Sequence, residues 1–101
     1  MDHSHEQCKI KNSERSKKLK KNIERRLSKI EGQIRGINKM IQNDVYCPDI
    51  LNQVSAVEAA LSSARNLILE DHIKSCVVED LKMGKVEIID EMMDIIKKIS
   101  K

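Results

Sequence analysis

The sequence has no phenylalanine and no tryptophan, and its one tyrosine, Tyr46, is the only aromatic among 101 residues. Large aromatic side chains dominate many cores. Their absence argues against a β-sandwich, an α/β fold and an enzyme built round a large pocket. No apolar run approaches the ~18 residues that a membrane-spanning helix needs. The N-terminal residues are polar, which fits no signal peptide, so the expected location is cytoplasmic. Three cysteines (Cys8, Cys47 and Cys76) are an odd number without framework spacing, and in a reducing compartment they are expected to be thiols. No internal repeat and no strand signal is visible.

What remains is Ile, Leu, Val, Ala and Met set among many Lys and Glu. Apolar residues make up 40% of the chain and charged residues 35%. That content is too apolar for a disordered chain and matches long amphipathic helices associating through narrow seams. The net charge of +3 hides an asymmetry: residues 1–26 carry nine Lys/Arg against four Asp/Glu, residues 27–101 ten against twelve. A basic front end points to a polyanionic partner, with a merely solvated charged face as the alternative.

Residues 1–12 show no periodicity and read as a flexible tail; residues 13–101 read as a single helical domain. Ser13 or Ser16 can cap the first helix. Leu19, Ile23, Leu27, Ile30, Ile34, Ile37 and Ile41 recur at steps of four and three, one face of a long helix. Gly32 and Gly36, inside it, each cost about 1 kcal/mol against alanine, which close approach of another helix would offset. The helix should stop near Asn43-Asp44. Pro48 suits the first turn of a second helix, with Cys47 at its N-cap. Ile50, Val54, Val57, Leu61, Ala64 and Ile68 continue the four-three pattern to His72 and Cys76, and Gly84 marks the stop. A third, shorter helix places Ile88, Met92, Ile95 and Ile99 inward. At about 1.5 Å per residue the second helix is ~50 Å long, so it projects beyond any partner in its own chain. An oligomer of antiparallel helical hairpins is the economical solution.

His72 and Cys76, at i and i+4, share one helical face and make a two-ligand pair for a soft or borderline metal. Packing of a buried cysteine and a helix-end histidine is the alternative. Cys47 precedes His72 by twenty-five residues of helix, roughly 37 Å, so the two cannot meet in one chain. An antiparallel dimer brings Cys47 of one chain to His72 and Cys76 of the other, giving two shared sites. Two thiolates and one imidazole suit three-coordinate Cu(I), whereas structural Zn(II) takes a fourth ligand.

The stretch RLSKIEGQIRGINKMIQNDVYCPDILNQVSAVEAAL, followed by EDHIKSC, resembles the copper-sensitive operon repressor (CsoR) family over about residues 19–99. The Tyr46-Cys47 pair, the Gln-x-Ser-Ala-Val segment and the His-x3-Cys pair carry the likeness. The resemblance implies an all-α fold without a helix-turn-helix, in which antiparallel four-helix-bundle dimers pair into tetramers. Such proteins bind operator DNA without metal and release it on binding their inducer. Inducers in the family are copper, nickel or cobalt, formaldehyde, or reactive sulfur. Copper members have Cys, His and Cys at the spacing of Cys47, His72 and Cys76. Persulfide sensors lack the histidine and formaldehyde sensors the second cysteine; both are present here. Nickel sensors add an N-terminal histidine at the position of Arg15, which cannot ligate, although His3, His5 and Cys8 lie nearby in the tail. Tyr46 matches a tyrosine that supports the ligand histidine, and Glu91 matches a supporting glutamate if one residue is missing near Lys82–Gly84.

Lys17, Lys18, Lys20, Lys21, Arg25 and Arg26 form the expected DNA surface, Arg26 matching a basic position of the family. A second basic position of the family is Ser63 here, with Arg65 close by. With no aromatic to stack on bases, double-stranded DNA is expected rather than single strands. The function these residues imply is Cu(I)-responsive repression of copper efflux or chaperone genes. A persulfide- or nickel-sensing repressor is the alternative within the family, and a copper carrier without a DNA role the alternative outside it. No nucleophile–base pair and no phosphate loop suggest an enzyme.

Overall fold

The computed structural model describes residues 14–100; the expected tail, 1–12, lies outside them. The described residues are helical, with no strand among them, in the order α1 (Glu14–Gln42), α2 (Cys47–His72), a π-helical turn (Ile73–Val77), α3 (Val78–Lys82) and α4 (Glu87–Ile99). The three expected helices are therefore present, the second made of α2, the π-turn and α3. No described helix is long and apolar enough to cross a membrane.

Both stops use the same backbone device. At the end of α1, Val45 N–H bonds Met40 O at 3.0 Å and Asp44 N–H bonds Ile41 O at 3.2 Å, with Asp44 left-handed at φ 53°. After α3, Lys85 N–H bonds Asp80 O at 2.9 Å and Gly84 N–H bonds Leu81 O at 3.0 Å, with Gly84 at φ 81°. These paired bonds satisfy carbonyls that a helix end otherwise leaves open. Glycine takes the left-handed position freely, while aspartate is one of the few other residues that visit it. At the start of α2, Tyr46 O accepts from the N–H groups of Asp49 and Ile50. The capping position is thus Tyr46, and Cys47 is the first helical residue, one place later than expected.

The described residues divide into two compact units between Ile68 and Leu69. In the first, α1 and α2 are joined by four residues, Asn43 to Tyr46. Ile23 and Ile30 are buried on α1, Val57 and Ala64 on α2, at matching distances from the connector, as in an antiparallel hairpin. The four-three stripe thereby splits into two rows of heptad spacing. One row faces into the hairpin. The other, Leu27, Ile34 and Ile41 with Val54, Leu61 and Ile68, stays 36–57% exposed. In the second unit, Val77 packs with Ile88 and Met92, and Leu69 and Ile95 close round them. This is the inward face expected for the last helix.

The close approach expected at the helical glycines is absent among the described residues. A methyl group on Gly36 would meet nothing within 4 Å, and one on Gly32 only the Arg35 Nη2 of the same helix, at 3.8 Å. Their helix-weakening cost therefore has no packing return within the chain. Two alanine substitutions should accordingly move stability in opposite directions. Gly36→Ala is expected to stabilise by up to ~1 kcal/mol, and Gly84→Ala to destabilise by about 1–2 kcal/mol because of its left-handed φ. Urea unfolding followed by helical ellipticity checks both signs.

Candidate metal centre

Cys47 is the first residue of α2 and His72 the last. A helix of that length keeps its two ends about 37 Å apart. Among the described residues, no three His, Cys, Asp or Glu side chains come together as a metal-holding group. One chain thus presents the expected ligands as two separate half-sites.

The first half-site is Tyr46-Cys47. Cys47 is an exposed free thiol, and Tyr46 is 73% exposed. Neither fills the core of this chain, so the single aromatic side chain is free to meet something else. Pro48 and Asp49 begin the helix behind them, with Asp49 in the first turn, where an acid complements the helix dipole.

The second half-site is His72 and Cys76. His72 is half-buried, and Cys76 is buried at 7% exposure. Between them the helix widens: Val78 N–H bonds Ile73 O, five residues back. This π-turn holds one residue more than an α-turn. It lets the consecutive residues Cys76 and Val77 both face inward, Val77 onto Ile88 and Met92. A regular helix at that point would carry one of them away from the core. On the outer side, Lys74 Nζ donates to Glu70 Oε1 at 2.8 Å and Ser75 Oγ to Asp71 Oδ1 at 3.4 Å. The Lys74–Glu70 ion pair is more than half exposed and adds only a few tenths of a kcal/mol, or about that.

Glu91 lies on α4 beside Met92 and between Ile88 and Ile95, on the inward stripe. It is half-buried, with its Oε2 shielded from solvent. The structure therefore keeps Glu91 off the solvated outer face, in the same compact unit as His72 and Cys76.

One expectation fails. Cys76 is disulfide-bonded in this structure, whereas all three cysteines were expected as thiols. Spacing cannot report this state, because it depends on which sulfur approaches in three dimensions. A thiolate is needed to bind a soft metal, so Cys76 fits the three-donor set only after reduction. Cys47 and His72 fit it as they stand. The π-turn was also invisible in the sequence: the only hint is two adjacent apolar residues, Cys76 and Val77, after a four-three stripe. A third unforeseen feature is Gln33 Oε1, which is buried without a hydrogen-bond partner.

The basic residues lie where the sequence placed them. Lys17, Lys18, Lys20, Lys21 and Arg25 are exposed on α1, and Arg26 is half-buried. Arg26 Nε donates to Asn22 Oδ1 one turn earlier, at 2.7 Å, which holds the guanidinium along the helix. Across α1 the sequence has ten Lys/Arg against three Asp/Glu. Arg65, on α2, is exposed as well.

The metal-sensitive transcriptional repressor family matches residues 19–98. The chain belongs to that family. Among its relatives, the copper-sensing transcriptional repressor CsoR of Bacillus subtilis is 48% identical over 88 residues, 86% of this chain and 87% of that protein. The copper-sensing repressor RicR of Mycobacterium tuberculosis is 45% identical over 65 residues, 64% of this chain and 68% of that one. A solved structure, the copper-sensing repressor CsoR with Cu(I) from Geobacillus thermodenitrificans, superposes with a TM-score of 0.81 at 39% identity. It covers 93% of this chain and 96% of its own. As a metal-sensitive repressor, the chain has the all-helical architecture and the repressor class that its residues led us to expect.

Differential thiol labelling checks the two half-sites. In the native protein without reductant, N-ethylmaleimide should modify Cys47 within minutes. Cys76 should be labelled only after reduction and unfolding. Rapid native labelling of Cys76 would contradict its placement.

Proposed function

We propose that the chain is a Cu(I)-sensing transcriptional repressor whose metal-free form binds operator DNA and whose copper-bound form releases it. Residues 13–101 act as one sensing and DNA-binding domain. The observation that carries this reading is the donor set itself: Cys47 and His72 at opposite ends of one 26-residue helix, with Cys76 one turn beyond His72. That set occurs in a repressor whose relatives are named as copper sensors. Retention of His72 favours copper over reactive sulfur within the family. The disulfide at Cys76 is the observation on the side of sulfur.

In this reading Cys47 of one chain joins His72 and Cys76 of a second, and each dimer holds two such sites. The exposed heptad row of Leu27, Ile34, Ile41, Val54, Leu61 and Ile68 supports a second hairpin as its cover. Six half-exposed aliphatic side chains leave on the order of several kcal/mol of burial unrealised in one chain. Gln33 Oε1, buried without a partner, would gain a donor from the same source. Pairing of dimers into a tetramer follows the family resemblance.

Cu(I) bound there would supply a three-coordinate link between two helix ends. Tyr46 and Glu91 serve the imidazole of His72, fixing its tautomer and orientation. The mechanical path is within the chain: Cys76 sits in the π-turn, the next residue, Val77, packs on Ile88 and Met92, and so a pull on Cys76 moves α4. DNA contact comes from Lys17, Lys18, Lys21, Arg25 and Arg26, with Lys20 beside them. Copper and DNA must then weaken each other's binding by the same factor. The regulated genes, by resemblance, encode copper efflux or chaperone proteins.

Titrating Cu(I) into a reduced protein–operator complex should release the DNA. Cys47→Ala should abolish both tight copper binding and release; retention of both would sink the site. Mixing Cys47→Ala chains with His72→Ala/Cys76→Ala chains should restore one intact site per heterodimer, and no recovery in verified heterodimers would overturn the shared arrangement. On the DNA side, Lys18→Ala and Lys21→Ala should each flatten the slope of log affinity against log salt by about 0.9, leaving copper affinity unchanged. An unaltered slope would remove α1 from the interface.

A further inference from the structure

The donor set has a second chemical state. Cys76 is disulfide-bonded while Cys47 keeps a free thiol, and the chain has one further cysteine, Cys8, outside the described residues. We propose that Cys8 and Cys76 form a redox gate: their disulfide withdraws a sulfur from the metal site, so that the oxidised protein stays in its DNA-binding form and no longer answers copper. The consequence for copper rests on the function proposed above; the disulfide itself does not.

Three observations support it. Cys76 is the ligand that one chain keeps inside its own fold, at 7% exposure, while Cys47 faces outward. A sulfur bonded to sulfur has no thiolate to give to a metal. The sulfur of Cys76 also lies in a π-turn, a locally widened helix, so a change of its partner is felt at Val77 and, through it, at Ile88 and Met92.

The chemistry needs an oxidant, a low-molecular-weight disulfide RSSR. The Cys8 thiolate attacks one of its sulfurs, forming a mixed disulfide and releasing RS⁻. The Cys76 thiolate then attacks the Cys8 sulfur, forming the protein disulfide and releasing the second RS⁻. Two protein thiols lose two electrons and two protons, and RSSR becomes two RSH. Excess RSH reverses both steps. Burial of Cys76 slows that reversal, because exchange requires access to the sulfur.

The test uses the full chain equilibrated with mixtures of oxidised and reduced glutathione. Non-reducing tryptic digestion followed by mass spectrometry should yield the peptide MDHSHEQCK joined to SCVVEDLK, two hydrogens lighter than their sum. Cys76 joined to the Cys47 peptide, or no Cys76 disulfide at any ratio, overturns the proposal. Oxidised wild-type protein should bind the operator with unchanged affinity and bind Cu(I) at least about tenfold more weakly than reduced protein. Cys8→Ser should bind Cu(I) equally well before and after the same oxidation; loss of copper binding in oxidised Cys8→Ser would refute the gate. If reduced wild-type protein binds no Cu(I) while the Cys8–Cys76 peptide forms, the copper reading fails and the disulfide stands.

Discussion

A helix offers a continuous band of side chains, but one neighbouring helix covers only part of it. In this chain the apolar band of α1 and α2 is wider than a two-helix contact. Ile23, Ile30, Val57 and Ala64 use the contact that exists, and the next row is left over. Aromatic side chains might have spread across that remaining width, but Tyr46 is the only one and it stands at the connector. The open row, the half-sites at opposite ends of α2 and the unpartnered Gln33 acceptor are expressions of the same shortage of width within one chain.

Much of this was legible because it depends on short-range rules. Four-three periodicity located the helices, Gly84 their second stop, and Pro48 the start of α2, each by local stereochemistry. The ligand candidates were legible because a helix converts residue count into distance. What the sequence concealed was settled by competition between elements. Whether Leu27 or Ile30 faces inward cannot be told from a stripe that contains both. The π-turn arises where Val77 must meet α4 without displacing Cys76, a requirement absent from the local sequence. Asp44, rather than a glycine, holds the first left-handed stop, and only the hydrogen bonds of Val45 and Asp44 reveal it. The expected use of Gly32 and Gly36 was wrong for the single chain, since no described residue comes near Gly36.

The candidate site shows how little of a metal centre is geometry alone. Cys47, His72 and Cys76 were found by spacing, yet their chemistry differs by environment: one thiol in the open, one imidazole half-covered, one sulfur buried and bonded. Glu91 depended on an uncertain alignment step in the sequence, and its place on the inward stripe of α4 now gives it a physical basis. A basic face was also readable from composition, but the hydrogen bond from Arg26 to Asn22 was not. That tie reduces the side-chain freedom that a phosphate contact would otherwise have to remove.

The open heptad row has a consequence for how the protein is stabilised. If a second chain covers it, folding and association become a single equilibrium, and the midpoint of unfolding depends on protein concentration. Dilution then acts as a denaturant. Because the proposed ligands lie on different chains, dilution would also dissolve the binding site, so copper sensitivity would scale with the abundance of the sensor itself. Any change in expression would reset the stability of the fold and the threshold of the response together.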